Sequence, residues 1–106
     1  MSEELPIFVG SRVRIRGEWH QPTNTNKIPD INDPFADPSA LAVKVYKPGH
    51  SFDEFVYLTD PEVVRDSQGK YHVDYIPDTP GQYRYVWIPT GNAAQPTDGR
   101  FYADTL

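Results

Sequence analysis

Asp66-Ser67-Gln68-Gly69-Lys70-Tyr71-His72-Val73-Asp74-Tyr75, followed after a short polar link by Pro80-Gly81-Gln82-Tyr83-Arg84-Tyr85-Val86-Trp87, is the stretch on which the fold turns. Side chains alternate across a strand, so Tyr71, Val73 and Tyr75 share one face of the first run. Tyr83, Tyr85 and Trp87 share one face of the second. Asp66-Ser67-Gln68-Gly69 has the Asp-first, Gly-last chemistry of a type I turn with its glycine left-handed. Two aromatic-faced strands behind such a turn call for an all-β sandwich with a packed interior.

Working outward, the same period recurs. Ser11 to His20 reads as a strand with Val13, Ile15 and Trp19 on one side and Arg12, Arg14, Arg16 and Glu18 on the other. Ala40 to Tyr46 places Leu41, Val43 and Val45 inward, and Lys47-Pro48-Gly49 turns the chain. Phe52 to Leu58, a short run from Glu62 to Arg65, Lys70 to Ile76, Gln82 to Ile88, and Gly99 to Ala103 around Phe101 complete about seven strands. Ile88-Pro89 is expected to end its strand. Gln21 to Ser39, with Pro22, Pro29, Pro34 and Pro38, is too long for a hairpin and should cover the sandwich end or protrude. Pro89 to Asp98 is a second polar loop. Residues 1–9 read as an N-terminal arm with the apolar cluster Leu5, Ile7, Phe8 and Val9, and residues 10–106 as the sandwich.

Composition agrees. The 106 residues suit one domain, and seven Tyr, five Phe and two Trp against one Met favour strands. Eleven Pro and seven Gly leave no stretch of helical period unbroken. Cysteine is absent, which removes disulfides, thiolate nucleophiles and Cys-based metal sites from consideration. Met1 to Leu5 has neither the basic nor the apolar region of a secretory leader. No apolar run approaches the about 20 residues of a membrane span. With 15 acidic and 10 basic residues the net charge is −5, which disfavours nucleic acid as a partner. Arg12, Arg14 and Arg16 are the local exception. They read either as a solvated outer face or as a contact patch for an acidic partner subunit.

The candidate chemistry is thin. Asp30, Asn32, Asp33 and Asp37 are the one oxygen-rich group that could suit Ca²⁺, but they lack the EF-hand spacing and a bidentate Glu, and read equally as Asx caps of their own turns. His20, His50 and His72 are scattered, with no two at metal-ligand spacing. His50, Ser51 and Asp53 lie too close along one turn to converge as a catalytic triad. Trp19, Tyr71, Tyr75, Tyr83, Tyr85 and Trp87 could stack on carbohydrate if exposed, but their alternation points them into a core. No phosphate cradle or dinucleotide fingerprint is present.

The spacing Asp78, Gly81, Tyr83 resembles the corner at which immunoglobulin-like sandwiches enter a late strand, where a Tyr hydroxyl bonds back to the chain upstream. The expected fold is therefore an immunoglobulin-like antiparallel β-sandwich. Beyond the fold, the chain resembles a family of small phage proteins, immunoglobulin-like domains encoded among the structural genes of tailed phages and in gene-transfer-agent relatives. The resemblance is carried by Gly10 and Val13, by Asp37-Pro38 before the strand Leu41 to Val45, and by Pro48-Gly49. It continues through the Gly-x-Tyr of Gly69 and Tyr71, the Gly-x-Tyr-x-Tyr of Gly81, Tyr83 and Tyr85, then Trp87, Thr90-Gly91 and Phe101. The connection from Gln21 to Asp33 is longer than the family's.

What the resemblance implies is a non-enzymatic structural subunit of a virion, assembled in the host cytoplasm and present in many symmetric copies. It implies no catalytic residue, cofactor, metal, nucleic acid or membrane. Its partners would be portal, adaptor, capsid or tail subunits, with the head–tail junction expected first and capsid decoration second. Leu5, Ile7, Phe8, Val9, Arg12, Arg14 and Arg16 are the candidate partner-binding residues. Trp19, Tyr71, Gly81, Tyr83, Tyr85 and Trp87 are the structural ones. The competing expectation is a bacterial cell-surface or extracellular sandwich module that binds carbohydrate or protein.

Overall fold

The computed structural model describes residues 7–20, 34–91 and 96–105. Their strands are β1 (Ile7–Phe8), β2 (Val13–Glu18), β3 (Ala40–Tyr46), β4 (Phe52–Val56), β5 (Val63–Ser67), β6 (Lys70–Tyr75), β7 (Gly81–Thr90) and β8 (Thr97–Asp104). Among the described residues there is no helix. One sheet has the order β1-β8-β7-β3-β4 and the other β2-β6-β5. Every pairing is antiparallel except that of β1 with β8. The molecule is a two-sheet β-sandwich.

The alternation read from the sequence decides what lies between the sheets. Ile15 and Trp19 from the β2 side, Leu41, Val43 and Val45 from β3, Tyr71, Val73 and Tyr75 from β6, and Tyr83 and Trp87 from β7 are all buried. Rings lock the layers together. Trp19 meets Trp87 edge-on at 5.4 Å and Tyr71 at 5.7 Å, Phe55 meets Tyr75 at 6.2 Å, and Tyr83 stacks on Phe101 at 4.9 Å. Such offset and edge-to-face pairs add to the burial of their area.

Two glycines do what other residues could not. Gly69 closes the β5–β6 hairpin at φ +74°, and an added Cβ would sit 2.5 Å from the Trp19 carbonyl oxygen. Gly81 opens β7 at φ +135° with the Pro48 ring where its side chain would be. Both positions exclude a β-carbon on steric grounds. Tyr85, only half-buried, lies opposite Gly99 across the β7–β8 ladder, and its ring fills the space a side chain at Gly99 would need.

The structure differs from the sequence reading at the N-terminal arm, at Pro89 and in strand bounds, with β4 ending at Val56 and β8 beginning at Thr97 within the expected Pro89–Asp98 loop. Residues 7–9 are not a free arm: Ile7 pairs with Ala103 and Phe8 with Asp104, and the Val9 N–H bonds to the Asp104 carbonyl at 2.9 Å. Ile7 and Val9 pack against the chain's own core, which gains their burial without the entropy cost of association. The sandwich therefore begins within the segment assigned to the arm; Leu5 lies outside the described residues. Pro89 does not end its strand. The ladder with β8 stops at Trp87↔Thr97, whereas that with β3 runs on through Leu41↔Pro89 to Ala40↔Thr90. Beyond Trp87 the described residues pair β7 on one side only, the edge setting in which proline is tolerated. Of the two expectations for the Gln21–Ser39 connection, its final part meets the first and lies on the sandwich end. Phe35 bridges to His20, and the Ala36 N–H bonds to the Trp19 carbonyl at 3.1 Å. Residues 21–33 and 92–95 lie outside the described residues.

Candidate functional site

Asp37, at the end of that connection, gathers donors from three residues. Its carboxylate accepts from Arg65 Nε and Nη2 at 3.2 and 3.0 Å, from the Gly69 N–H at 2.8 Å and from the Tyr71 hydroxyl at 3.0 Å. The Arg65 guanidinium first, then the Gly69 amide, hold its pKa down to about 2. Burial and the same carboxylate push the Tyr71 hydroxyl up to about 12. Asp37 thus ties the chain entering β3 to the β5–β6 hairpin. Asp30, Asn32 and Asp33 lie outside the described residues, and Asp37 spends its oxygens on the protein itself. Among the described residues no group of three His, Asp or Glu is arranged to hold a metal ion.

The histidines do not converge. His20 stacks on Phe35 at 4.4 Å, and Lys70 Nζ covers the Phe35 ring at 4.6 Å. His50 occupies a left-handed turn position at φ +77° and is exposed. Asp53, its near neighbour in sequence, accepts from the Tyr75 hydroxyl at 2.6 Å and pairs with Lys47 at 3.5 Å. Burial and Asp53 raise the Tyr75 pKa strongly. His72 is the buried one, on the outer face of the three-stranded sheet between Arg16 and Val64 in register. Its Nδ1–H donates to the Asp66 carboxylate, with 2.8 Å to either oxygen. The residue pattern did not single out this pair, which spans the β5–β6 hairpin at the register shift between Arg65 and Ser67.

The aromatic candidates are core. Trp19, Tyr71, Tyr83 and Trp87 are each at most 2% exposed, which leaves no face for a sugar to stack on. The Trp87 indole N–H has no hydrogen-bond acceptor among the described residues.

Exposed charged and apolar side chains stand on the edge strands β2 and β4 and their adjoining turns, and Ile88 and Tyr102 are exposed on β7 and β8. Arg14 and Arg16 project from β2 and Arg12 immediately precedes it, all three exposed as their alternation requires. Arg14 binds Asp74 through two bonds of 2.9 and 3.1 Å, which lowers the Asp74 pKa. Among the described residues Arg12 and Arg16 form no ion pair. With Glu18, Asp66 and Lys70, Arg14 and Arg16 line an open depression of about 250 Å³. On the opposite edge Phe52 is 50% and Leu58 86% exposed. Leu58 sits at φ +72°, in a turn held by Asp60, whose side chain accepts the Val56 N–H at 2.7 Å and whose own N–H bonds to the Val56 carbonyl at 2.8 Å. Nothing in the residue pattern had singled out Leu58; the adjacent Asp60-Pro61 signalled a turn but not its shape. Of the partner-binding candidates, the structure sets Ile7, Phe8 and Val9 beside β8 in the larger sheet, and the three arginines on and just before β2, the edge strand of the smaller sheet.

No protein-family model matches the sequence, and no curated protein is similar to it. Among solved structures, a putative glycoside hydrolase from Bacteroides vulgatus shares the fold with a TM-score of 0.59 at 15% identity. The match covers 97% of this chain and 17% of that protein, so the chain spans about a sixth of the neighbour's length. At that identity the likeness bears on the fold alone: a sandwich of this shape also occurs as a small part of a much longer protein.

Proposed function

We propose that this protein is an immunoglobulin-like docking module, a non-enzymatic structural subunit of a tailed-phage particle placed at the head–tail junction. The immunoglobulin-like reading is supported by the strand order. The set β8-β7-β3-β4 facing β2-β6-β5 corresponds to the G-F-C-C′ and B-E-D sheets of that fold, and Tyr83 makes its corner at the start of the F-equivalent strand. In antibody domains a disulfide joins strands B and F across the core. Here the cysteine-free chain sets Trp19, directly after β2, against Trp87 on β7.

The observation that carries the docking role is the division of labour among the side chains. Trp19, Tyr71, Tyr75, Tyr83 and Trp87 are buried in the core and Asp37, Asp53 and Asp66 are tied to Tyr71, Tyr75 and His72, while cations without an ion pair among the described residues and exposed apolar side chains stand on the edge strands and their turns. The residues behind the phage resemblance fit this reading: Gly69, Gly81, Tyr71, Tyr83 and Trp87 are the turns and pins of the frame. Mass spectrometry of particles purified from the host that encodes this chain should find it in many copies per particle. Particles lacking it would sink the reading, and its position by electron microscopy separates the head–tail junction from capsid decoration.

The neighbour in the solved structures favours a second reading, an extracellular sandwich module within a carbohydrate-active protein. A glycan-dependent rise in melting temperature would support it. The burial of Trp19, Tyr83 and Trp87 weighs against it.

A further inference from the structure

We infer that the two lateral edges of the sandwich are complementary halves of one interface, so that β2 of one copy docks on the β4–β5 edge of the next. The inference rests on the proposed many-copy role and names the partner of the arginine strand as a second copy of this chain.

Charge is segregated along the chain. From Gly10 to Gly17 there are three arginines and no carboxylate; from Phe52 to Val64 there are Asp53, Glu54, Asp60 and Glu62 and no Lys, Arg or His. The topology sets these segments on opposite sides. β2 is an edge strand joined by a short turn to β1, at the far edge of the larger sheet. β4 is that sheet's other edge, and the Tyr57–Glu62 crossing carries the chain from it to β5, the other edge of the smaller sheet. Each copy therefore has a basic edge and an acidic edge facing away from each other.

Both edges hold groups free to engage. Arg12 and Arg16 form no ion pair among the described residues, and neither does Glu62, while Glu54 reaches Lys44 only at 4.0 Å. Apolar groups accompany the charges: Phe52 and Val56 are exposed on the outer face of the edge strand β4, Val64 on that of the edge strand β5, and Leu58 in the crossing between them, while Ile76 is 56% exposed beside the start of β2. Leu58 is held in its left-handed turn by Asp60, so it meets a partner already in place. A backbone fixed before contact loses less entropy on binding. Exposed ion pairs set register and encounter rate more than affinity. A single contact is therefore weak and salt-sensitive, and it strengthens when copies are held together on a particle. Because the two surfaces differ, the contact is heterologous and propagates, closing into a ring where the rotation allows.

The test is a charge swap read by sedimentation of the full chain at concentrations up to millimolar. Wild type should show a mass that rises with concentration at low salt and returns to monomer at 1 M salt, where screening acts within about 3 Å. R12E/R16E alone and E54K/E62K alone should remain monomeric, while an equimolar mixture of the two should associate. R84E/R100E has the same net charge as R12E/R16E with both reversals on the outer face of the larger sheet, and should associate like wild type. Leu58→Ser should weaken association at unchanged melting temperature. A wild type that stays monomeric at every concentration, or a mixture no heavier than its components, overturns the inference. So does association by both reversed variants alone. Detection of the chain in purified particles is scored separately: a failed swap with the chain present removes only this interface, and a successful swap with the chain absent removes the virion reading.

Discussion

The Tyr83 hydroxyl holds Thr79 by both of its backbone groups, donating to the carbonyl oxygen at 2.7 Å and accepting from the N–H at 3.1 Å. Tyr83 itself is fully buried, with its ring stacked on Phe101 and edge-on to Tyr75. One side chain thus fixes the link by which the chain leaves the smaller sheet and enters the larger. Tyr83→Phe keeps the ring and removes both bonds, and should cost about 1–2 kcal/mol. Denaturant unfolding reads this directly; an unchanged midpoint would show that the corner is ornamental.

Trp87 is fully buried at the centre of the core, against Trp19. Trp87→Ala should cost about 3–5 kcal/mol, enough to unfold many domains of this size. Trp87→Phe should cost much less, because it keeps most of the packing and removes an indole N–H that has no acceptor among the described residues. The native emission should be blue-shifted, and red-shifted emission typical of exposed tryptophan would contradict the burial.

The sequence read well where the deciding physics is local. Leu41, Val43 and Val45, and again Tyr71, Val73 and Tyr75, declare their inward face through a period of two that needs no knowledge of the partner strand. It read poorly where two places compete for the same residues. Ile7 and Val9 are as apolar on a neighbour's surface as on their own core, and only the free edge of β8 decides between them. Pro89 looks like a strand end until the unequal ladders on either side of β7 are known. Asp37 reads as a loop acid until the fold brings in Arg65, 28 residues away, and Tyr71, 34 residues away.

That clasp has a pH signature. The folded-state pKa of Asp37 is about 2, below the about 3.9 of an unfolded aspartate. A depressed carboxylate contributes stability above its unfolded pKa and loses it as pH falls through the folded one. The contribution should therefore be complete above about pH 5 and fade between about pH 4 and 2. The side chain is 37% exposed, so solvent screening reduces its size below what the shift alone suggests. Asp37→Asn should destabilise at pH 7 and flatten the acid limb. A parent-like acid limb in the variant would assign that limb to Asp74 and Asp78, whose pKa values are lowered by Arg14 and Lys47.

Leu58 combines 86% exposure with a left-handed backbone. It gains almost nothing from burial in the single copy and carries the strain of a β-carbon at positive φ. Leu58→Gly should leave stability unchanged or raise it by up to about 1 kcal/mol. A clear loss of stability would mean that the leucine packs on its own domain.

The first strand supplies the sharpest division between self and partner. Ile7 and Val9 are half-buried on the core, and the Ile7↔Ala103 and Phe8↔Asp104 pairs close the outer edge of β8. If these residues served only a neighbour, deleting residues 1–9 would leave melting untouched. The pairing requires the opposite. Two half-buried aliphatic side chains, together with ladder bonds, amount to about 2–3 kcal/mol, a drop of roughly 10 °C or more in Tm for a chain of this length. Differential scanning calorimetry of the deletion measures it. Docking by the same segment is tested by adding the deleted protein to an assembly reaction below its lowered Tm. Incorporation in proportion to the folded fraction would show that β1 belongs to the domain alone. A complete failure to incorporate by a folded deletion would show that the segment also touches a neighbour.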